Sequence, residues 1–213
     1  MSGEEATLRA GLGQLQLVLS DRQIAQLLNY QKMIAKWTKV YNLTAVRDPA
    51  EMMTHHLLDS LAVIAPLRRH MVQGNLLDVG SGAGLPGAVI AICCPTINVT
   101  CVDTVAKKAT FIKQVALELK LPNLAGLHAR VESIVQPFDV ICSRAFASLP
   151  DFTNWSAGAL APSGVWMAMK GKHPADELAA IAATVDVFHV EQLQVPGLDA
   201  ERCVVWMRKK SVS

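Results

Sequence analysis

The chain has 213 residues, of which 51% are hydrophobic and 18% are charged, and this composition excludes a disordered protein. The formal net charge is only +2, so any contact with nucleic acid must come from locally clustered charges. No segment is apolar over a length that crosses a bilayer, the N-terminal residues lack a secretory pattern, and the five cysteines form no CxxC pair. We therefore expect a cytoplasmic protein with free thiols and no metal site.

Apolar residues recur at helical spacing up to about Gly74. The first long helix follows a capping box formed by Ser20 and Gln23. The apolar positions that share one face of this helix are Ile24, Leu27, Ile34, Trp37 and Tyr41.

A second helix is expected to begin at Asp48, with Pro49 in its first turn and Glu51 three residues after the cap, and to end before Pro66. Its core face comprises Met52, Leu58 and Leu61. Residues 1–74 are therefore predicted to form a helical N-terminal extension that packs on the rest of the chain.

In residues 75–213, short apolar runs alternate with helical segments, which predicts a parallel sheet with crossover helices. The predicted strands are Leu76 to Val79, Val99 to Val102, Asp139 to Ser143, Val165 to Met169 and Cys203 to Met207. The predicted helices are Pro86 to Cys93, Ala106 to Leu119, Phe152 to Leu160 and Ala175 to Thr184. The fold class is α/β, with a mostly parallel sheet and helices on both faces.

A glycine-rich loop joins the first strand to a helix that begins at Pro86. Glycine occupies four of the eight positions from Gly80 to Gly87, more than a tight turn requires. Gly80, Gly82 and Gly84 allow a sharp turn and let a ligand approach the backbone closely. The loop therefore predicts a site for a nucleotide-like cofactor.

Two carboxylates near this loop bear on the identity of the cofactor. Asp103 ends the second strand about twenty residues on, where a carboxylate accepts hydrogen bonds from a ribose; alternatively, it only caps the next helix. Asp78 precedes the loop and suits the cationic end of S-adenosylmethionine, whereas it would repel a pyrophosphate. Because Gly82 to Gly87 also fits GxGxxG, an NAD(P)-dependent oxidoreductase stays the alternative to a methyltransferase.

Several segments at characteristic spacing identify a family. They are Tyr41-Asn42-Leu43-Thr44, His56-Leu57-Leu58-Asp59-Ser60, Asp78 to Gly84, Lys107-Lys108 followed by Phe111, and Ser143-Arg144-Ala145. In this order they resemble RsmG, also called glucose-inhibited division protein B, over almost the whole chain. The resemblance implies a Rossmann-like class I fold and methylation of N7 of a guanine in bacterial 16S ribosomal RNA, with S-adenosylmethionine as the cofactor.

The resemblance also implies cofactor contacts. They fall on Gly80 and Leu85 in the loop, on Val131 and Glu132 after the family's third strand, and on Arg144 after its fourth. Members of the family often have alanine where this chain has Val131, but a contact through the backbone amide tolerates that change. Glu132 is then expected near the adenine.

Arg144 is the candidate catalytic residue, because it stands at the carboxyl end of a central strand, where open α/β sheets bind ligands. It is expected to orient cofactor, guanine O6 or phosphate, unless it forms only a surface ion pair. A bidentate grip on O6 and N7 is incompatible with reaction, since N7 must stay free to attack. Guanine N7 carries no proton, so no general base is required.

Basic and histidine side chains in the N-terminal extension have two interpretations. Lys32, Lys36 and Lys39 share a face of the first long helix and contact either RNA phosphates or only solvent. His55, His56 and Asp59 are more simply interpreted as structural residues than as part of the site.

The partner expected from the resemblance is 16S ribosomal RNA or the small ribosomal subunit, bound by a monomer, with no role for a membrane or for DNA. An RNA-binding module that keeps the cofactor pocket without activity is a third hypothesis.

Overall fold

The computed structural model describes residues 3–41 and 43–210; Asn42 of the motif quoted above and both chain ends lie outside this part. The N-terminal region contains helices α1 (Gly3–Gln14), α2 (Asp21–Tyr41), α3 (Pro49–Met52), α4 (Asp59–Leu61) and α5 (Ile64–His70), with a π-helical segment at Met53–Leu58 between α3 and α4. Among these described residues, no helix is both long and apolar enough to cross a membrane.

The rest of the chain alternates strands with helices. Its strands are β1 (Gly74–Val79), β2 (Ile97–Asp103), β3 (Leu124–His128), β4 (Phe138–Arg144), β5 (Leu160–Lys170), β6 (Val185–Leu193) and β7 (Arg202–Lys209). Its α-helices are α6 (Gly87–Cys93), α7 (Ala106–Glu118), α8 (Leu149–Ser156) and α9 (Ala175–Ala179). Short 3₁₀ turns occupy Val131–Ser133 and Ala157–Ala159.

Within the described residues the strands form one sheet in the order β3-β2-β1-β4-β5-β7-β6. The pairs among β1 to β5 are parallel, and β7 is antiparallel to both β5 and β6. This confirms the predicted mostly parallel sheet. The strand order reverses between β1 and β4, so their carboxyl ends leave a crevice at the point where open α/β sheets bind ligands.

Successive residues of each central strand enter cores on opposite faces of the sheet. Leu76 of β1 packs with the N-terminal helices, α6 and α7, whereas Leu77 packs with α8 and the loop before β4. The first of these cores joins residues of the N-terminal extension to residues of the sheet without a break. The division at residue 74 therefore stays a prediction about sequence organisation.

The capping box of α2 forms as the sequence indicates. The Ser20 backbone N–H donates to Gln23 Oε1 at 3.0 Å, and the Gln23 backbone N–H donates to Ser20 Oγ at 3.3 Å. Ile24, Leu27 and Ile34 are buried. Tyr41, which was expected on the same face, is 44% exposed, because it is the last residue of the helix.

The second helical stretch ends before Pro66, as the sequence predicts, but it is divided into several segments, and a further helix that was not predicted contains Pro66. The stretch divides into α3, the π-helical turn and α4, and Pro66 is the third residue of α5. A helix tolerates proline in its first turn because the first N–H groups have no partner within the helix. The break between the two helical stretches lies at Ala62 and Val63. Met52, Leu58 and Leu61 are buried as predicted.

Two strands were missed, and two predicted helices are shorter than expected. Edge strands β3 and β6 carry polar or small residues at many positions, which obscures the strand pattern. The helix predicted to reach Leu160 ends at Ser156, and Leu160 begins β5. The helix predicted to reach Thr184 ends at Ala179, and the chain then turns into β6.

Candidate functional site

Two adjoining clefts lie at the carboxyl ends of the central strands. The arginine cleft, of about 400 Å³, is lined by the glycine loop, His55, His56, Asp59, Arg144 and Arg202. The Asp103 cleft, of about 720 Å³, is lined by Asp103, Val131, Glu132, Phe146 and Trp155. Gly80 and Ala145 line both clefts. Volumes of this size are typical of small-molecule sites.

The glycine loop uses a backbone conformation that favours glycine. Gly82 has φ +59°, and a Cβ added there meets nothing within 4 Å, so its side-chain direction is open space. Gly84 has φ +89°, and an added Cβ would collide with Ile112 of α7. Gly82 therefore faces the space available to a ligand, whereas Gly84 is required for packing behind the loop.

Tyr30 of α2 holds the glycine loop from behind, a contact that the sequence did not reveal. Its hydroxyl donates to the carbonyl oxygen of Ala83 at 2.6 Å and to that of Gly84 at 3.0 Å. The side chain is fully buried and stacks at 6.5 Å on Phe111 of α7. The N-terminal extension thereby stabilises the conformation of the loop.

Tyr30→Phe is expected to loosen this loop without disturbing the core, because it removes only the donor. The free energy of unfolding should fall by about 1 kcal/mol, the usual contribution of such a hydrogen bond. Cofactor affinity should fall severalfold. Urea denaturation and calorimetry measure the two effects. Tyr41→Phe, on the exposed end of the same helix, is the matched control, and equal behaviour of the two variants would contradict a bracing role.

Asp103 connects the loop to the next helix. Its Oδ2 accepts from the Gly82 N–H at 3.0 Å, and its Oδ1 accepts from the Val105 N–H at 2.9 Å. Lys108 Nζ lies 3.6 Å from Oδ2. Both interpretations from the sequence are compatible with this geometry, since a carboxylate has about four lone-pair directions and two are used here. A contact with a cofactor ribose stays a prediction.

Asp78 lies beneath the loop rather than at its surface. The side chain is fully buried, lines neither cleft, and its Oδ2 accepts from the Gly87 N–H at 2.8 Å. Burial raises the pKa of Asp78 to about 7, against the lowering effect of the Gly87 N–H. The geometry therefore favours a role in shaping the turn, and the expected direct attraction to a cationic cofactor is untested.

Asp78→Asn should remove a pH dependence from folding. Because the pKa of Asp78 is higher in the folded state than its ordinary value of 3.8, its contribution to stability is full below about pH 4 and is lost as the pH rises through about 7. The wild-type free energy of unfolding should fall relative to the variant by about 1.4 kcal/mol for each unit of pKa shift. Urea titrations from pH 4.5 to 8 measure this difference, and parallel curves would rule it out.

Val131 and Glu132, which the family resemblance gives as cofactor contacts, line the Asp103 cleft together. Val131 is buried and begins a 3₁₀ turn, and Glu132 is exposed beside it. The Phe146 ring meets Trp155 edge to face at 5.9 Å, and a Cβ at Gly80 would collide with Phe146. The cleft therefore combines an apolar, aromatic wall with the carboxyl groups of Glu132 and Asp103. This aromatic wall was missed by the sequence reasoning.

Arg144 ends β4 and enters a partly buried ion pair, not the surface pair considered as its alternative role. Its Nη1 donates to Asp59 Oδ2 at 2.8 Å and to the carbonyl oxygen of His55 at 2.8 Å. Asp59 is 3% exposed and also accepts, through Oδ1, from Arg202 Nε at 2.9 Å. Asp59 thus positions Arg144, which agrees with its interpretation as a structural residue. The sequence reasoning missed Arg202, the second partner of Asp59.

The π-helical segment Met53–Leu58 brings His55 and His56 to the cleft. Such segments are rare and frequently occur at functional sites. His56 Nε2 lies 2.8 Å from Thr44 Oγ1, and the side chain is 6% exposed. Burial, assisted by the charge of Arg144, lowers the pKa of His56 to about 4, so the imidazole is neutral at pH 7. It therefore adds no positive charge to the arginine cleft.

The lysines of α2 lie away from both clefts. Lys32, Lys36 and Lys39 are exposed and border one groove together with Gln31 and Met52, which supports a shared face. A contact between these lysines and RNA phosphates stays a prediction.

Comparison with known proteins gives a consistent result. Residues 23–205 match the family model described as GidB, rRNA small subunit methyltransferase G. A ribosomal RNA small subunit methyltransferase G of Polaromonas sp. strain JS666 is 74% identical over 219 aligned residues, covering 100% of this chain and 97% of that protein. The protein of the same name from Albidiferax ferrireducens is 66% identical, covering 98% of each chain.

Solved structures share the fold at low sequence identity. TrmN from Thermus thermophilus superposes with a TM-score of 0.58 at 19% identity, covering 74% of this chain and 53% of that one. A SAM-dependent methyltransferase from Aquifex aeolicus gives 0.54 at 17% identity, covering 75% and 97%. The sheet is therefore that of class I methyltransferases, and the oxidoreductase alternative is not supported. On the family match and the close relatives, the chain belongs to the rRNA small subunit methyltransferase G family.

Proposed function

We propose that the chain methylates N7 of a specific guanine in 16S ribosomal RNA, with S-adenosylmethionine as the methyl donor. The observation that carries the proposal is the arrangement of the two clefts, which share the Gly80 and Ala145 wall at the strand ends of a methyltransferase fold. One cleft suits a nucleoside cofactor, and the other presents arginine side chains to an RNA nucleotide.

The residues present fit the cofactor. The open space at Gly82 admits a ligand against the backbone, and Asp103 keeps unused acceptor directions beside it. Val131 and Glu132 line the Asp103 cleft, Gly80 lines both clefts, and Leu85 lines the arginine cleft. The cofactor would therefore lie mainly in the Asp103 cleft and reach past Gly80 into the edge of the arginine cleft. When bound, S-adenosylmethionine supplies an electrophilic methyl group on its sulfonium.

The proposed reaction requires alignment more than acid–base chemistry. Guanine N7 has a free lone pair and no proton to lose, so the chain has to hold the base in line and exclude water. Arg144 is held by Asp59 and the His55 carbonyl, and its fixed guanidinium suits an orienting contact with the nucleotide. With its pKa lowered to about 4, His56 is a weak proton acceptor at pH 7, which is compatible with a site that needs no general base.

Asp103→Ala should weaken S-adenosylmethionine binding by about 1 to 3 kcal/mol, because it removes a charged acceptor from the cofactor and from the Gly82 N–H. Calorimetry measures the affinity, and thermal unfolding measures the loss of the helix contact through Val105. Asp139→Ala, an exposed aspartate at the other end of the sheet, is the control. Unchanged cofactor affinity would leave Asp103 as a helix cap alone.

The RNA substrate, the oligomeric state and the cellular compartment belong to the same proposal. The substrate is 16S ribosomal RNA, free or in the small subunit, and Lys32, Lys36 and Lys39 contact its phosphates. The enzyme acts as a monomer in the cytoplasm, without a membrane or DNA partner. The five cysteines are free thiols within the described residues, which is compatible with a reducing compartment.

The deciding experiment maps N7-methylguanine in small-subunit rRNA from cells with and without the gene, and repeats the reaction with purified protein. We expect one guanine to lose its methyl group on deletion and to regain it in vitro. Bound RNA and cofactor with no methyl transfer would support the inactive RNA-binding module instead.

A further inference from the structure

Arg202 lines the arginine cleft together with Arg144, although the two residues lie on different strands. It begins β7, one residue before the Cys203–Lys170 pair that joins β7 to β5. Arg144 ends β4, in register with Met169 of β5. The two arginines therefore reach the same end of the sheet from strands on either side of β5, and both line the arginine cleft.

A single buried carboxylate serves both guanidinium groups. Asp59 accepts from Arg144 through one oxygen at 2.8 Å and from Arg202 through the other at 2.9 Å. The exposed fractions of the side chains are 3% for Asp59, 19% for Arg144 and 23% for Arg202. Structural pairing of Asp59 requires one arginine, and the second adds repulsion between like charges in a partly desolvated site.

The remaining lining residues do not compensate this positive charge. Among the described residues that line the arginine cleft, Asp59 is the only carboxylate. Lys170 is already paired with Glu177 at 2.7 Å, and His56 is neutral. The cleft thus keeps an excess of about one positive charge, which an incoming anion would neutralise.

Both guanidinium groups also keep unused donors. Arg144 uses Nη1 for its two bonds, and its Nε and Nη2 have no partner among the described residues. Arg202 uses Nε for Asp59 and Nη1 for the Glu201 carbonyl oxygen, which leaves Nη2 without a described partner. Donors from two fixed guanidinium groups match the several oxygens of a phosphate.

We propose that Arg202 and Arg144 together bind the phosphate of the methyl-accepting nucleotide, which makes Arg202 a residue for positioning RNA; this inference rests on the proposed function. A phosphate contact leaves guanine N7 free, unlike a bidentate grip on the base. The carboxylate of the cofactor is the other oxyanion with matching chemistry. The two possible ligands are distinguished by the affinity that a variant changes. Loss of a phosphate contact lowers affinity for RNA, whereas loss of a carboxylate contact lowers affinity for the cofactor.

The test compares wild type, Arg202→Gln, Arg202→Lys and Arg69→Gln in steady-state methylation of small-subunit rRNA across a range of salt concentrations. Arg69 is the control, because it forms an exposed ion pair with Glu191 and lines neither cleft. For Arg202→Gln we expect KM for RNA to rise about tenfold with a smaller change in kcat. The slope of log affinity for RNA against log salt should decrease in magnitude by about 1, as for one lost phosphate contact. Arg202→Lys should recover part of this slope, and Arg69→Gln should match wild type.

Three results would overturn the inference: an unchanged salt slope in Arg202→Gln, an equal effect in Arg69→Gln, or a loss of S-adenosylmethionine affinity as large as the loss for RNA. A second measurement needs no variant and covers the case in which Arg202→Gln fails to fold. With S-adenosylhomocysteine bound, wild type should bind guanosine 5′-monophosphate about tenfold more tightly than guanosine, and equal affinities would also overturn it. Absence of wild-type methylation would instead contradict the proposed function.

Discussion

We expect Gly82→Asp to abolish cofactor binding while the protein stays folded. Gly82 has φ +59°, which aspartate adopts at a cost of about 1 kcal/mol, and its added Cβ meets no protein atom. The new side chain fills the space offered to the ligand and brings a second carboxylate near Asp103, which already accepts from the Gly82 N–H. Calorimetry with S-adenosylmethionine should show at least about a hundredfold loss, or about 2.7 kcal/mol.

Two matched variants separate the causes of this loss. Gly82→Asn has the same size and tolerates the same backbone conformation without the charge, so any further loss in Gly82→Asp measures repulsion. Gly13→Asp also places its side chain in open space, but on α1 away from both clefts, and should bind normally. Undiminished binding by a folded Gly82→Asp protein would remove the loop from the site.

Arg144→Ala should reduce methylation of ribosomal RNA at least tenfold, about 1.4 kcal/mol of barrier, with a smaller loss of cofactor affinity. The reason is that Asp59 and the His55 carbonyl fix Arg144 in the arginine cleft, next to Ala145 of the wall that the two clefts share. Single-turnover methylation measures the barrier, and calorimetry measures the affinity. Arg144→Lys should rescue little, since an ammonium group does not reproduce the planar fork.

The stability of the Arg144 variant needs its own control. Removing one partner leaves Asp59 buried with Arg202 alone, at an expected cost of about 1 to 3 kcal/mol. Activity should therefore be compared at a temperature where urea denaturation shows the variant to be folded. Arg208→Ala, which removes an exposed pair with Asp186, should leave methylation unchanged. Normal methylation by Arg144→Ala would exclude Arg144 from the site.

The central sheet was predictable because each central strand is a continuous apolar run between a helix and a turn. The strands that hold Leu76, Val99 and Val140 are buried on both faces. Such strands appear in the sequence as apolar runs, whichever strands they pair with. The edge strands β3 and β6 were not predictable in the same way. One of their faces meets solvent, and their residues are selected by pairing with neighbouring strands that are distant in sequence.

The sequence by itself determined the glycine loop after β1, the carboxylate at the end of β2 and the arginine at the end of β4, because each is recognised from the strand that it follows or ends. Only the tertiary structure decided what holds these residues: Tyr30 behind the loop, and Asp59 and Arg202 beside Arg144. These partners lie 53, 85 and 58 residues away along the chain, respectively, as the residue numbers of Ala83 and Arg144 show. The local sequence pattern does not predict such contacts. A hydrogen bond between distant segments depends on how helices and strands pack, and not on the hydrophobic periodicity of either segment.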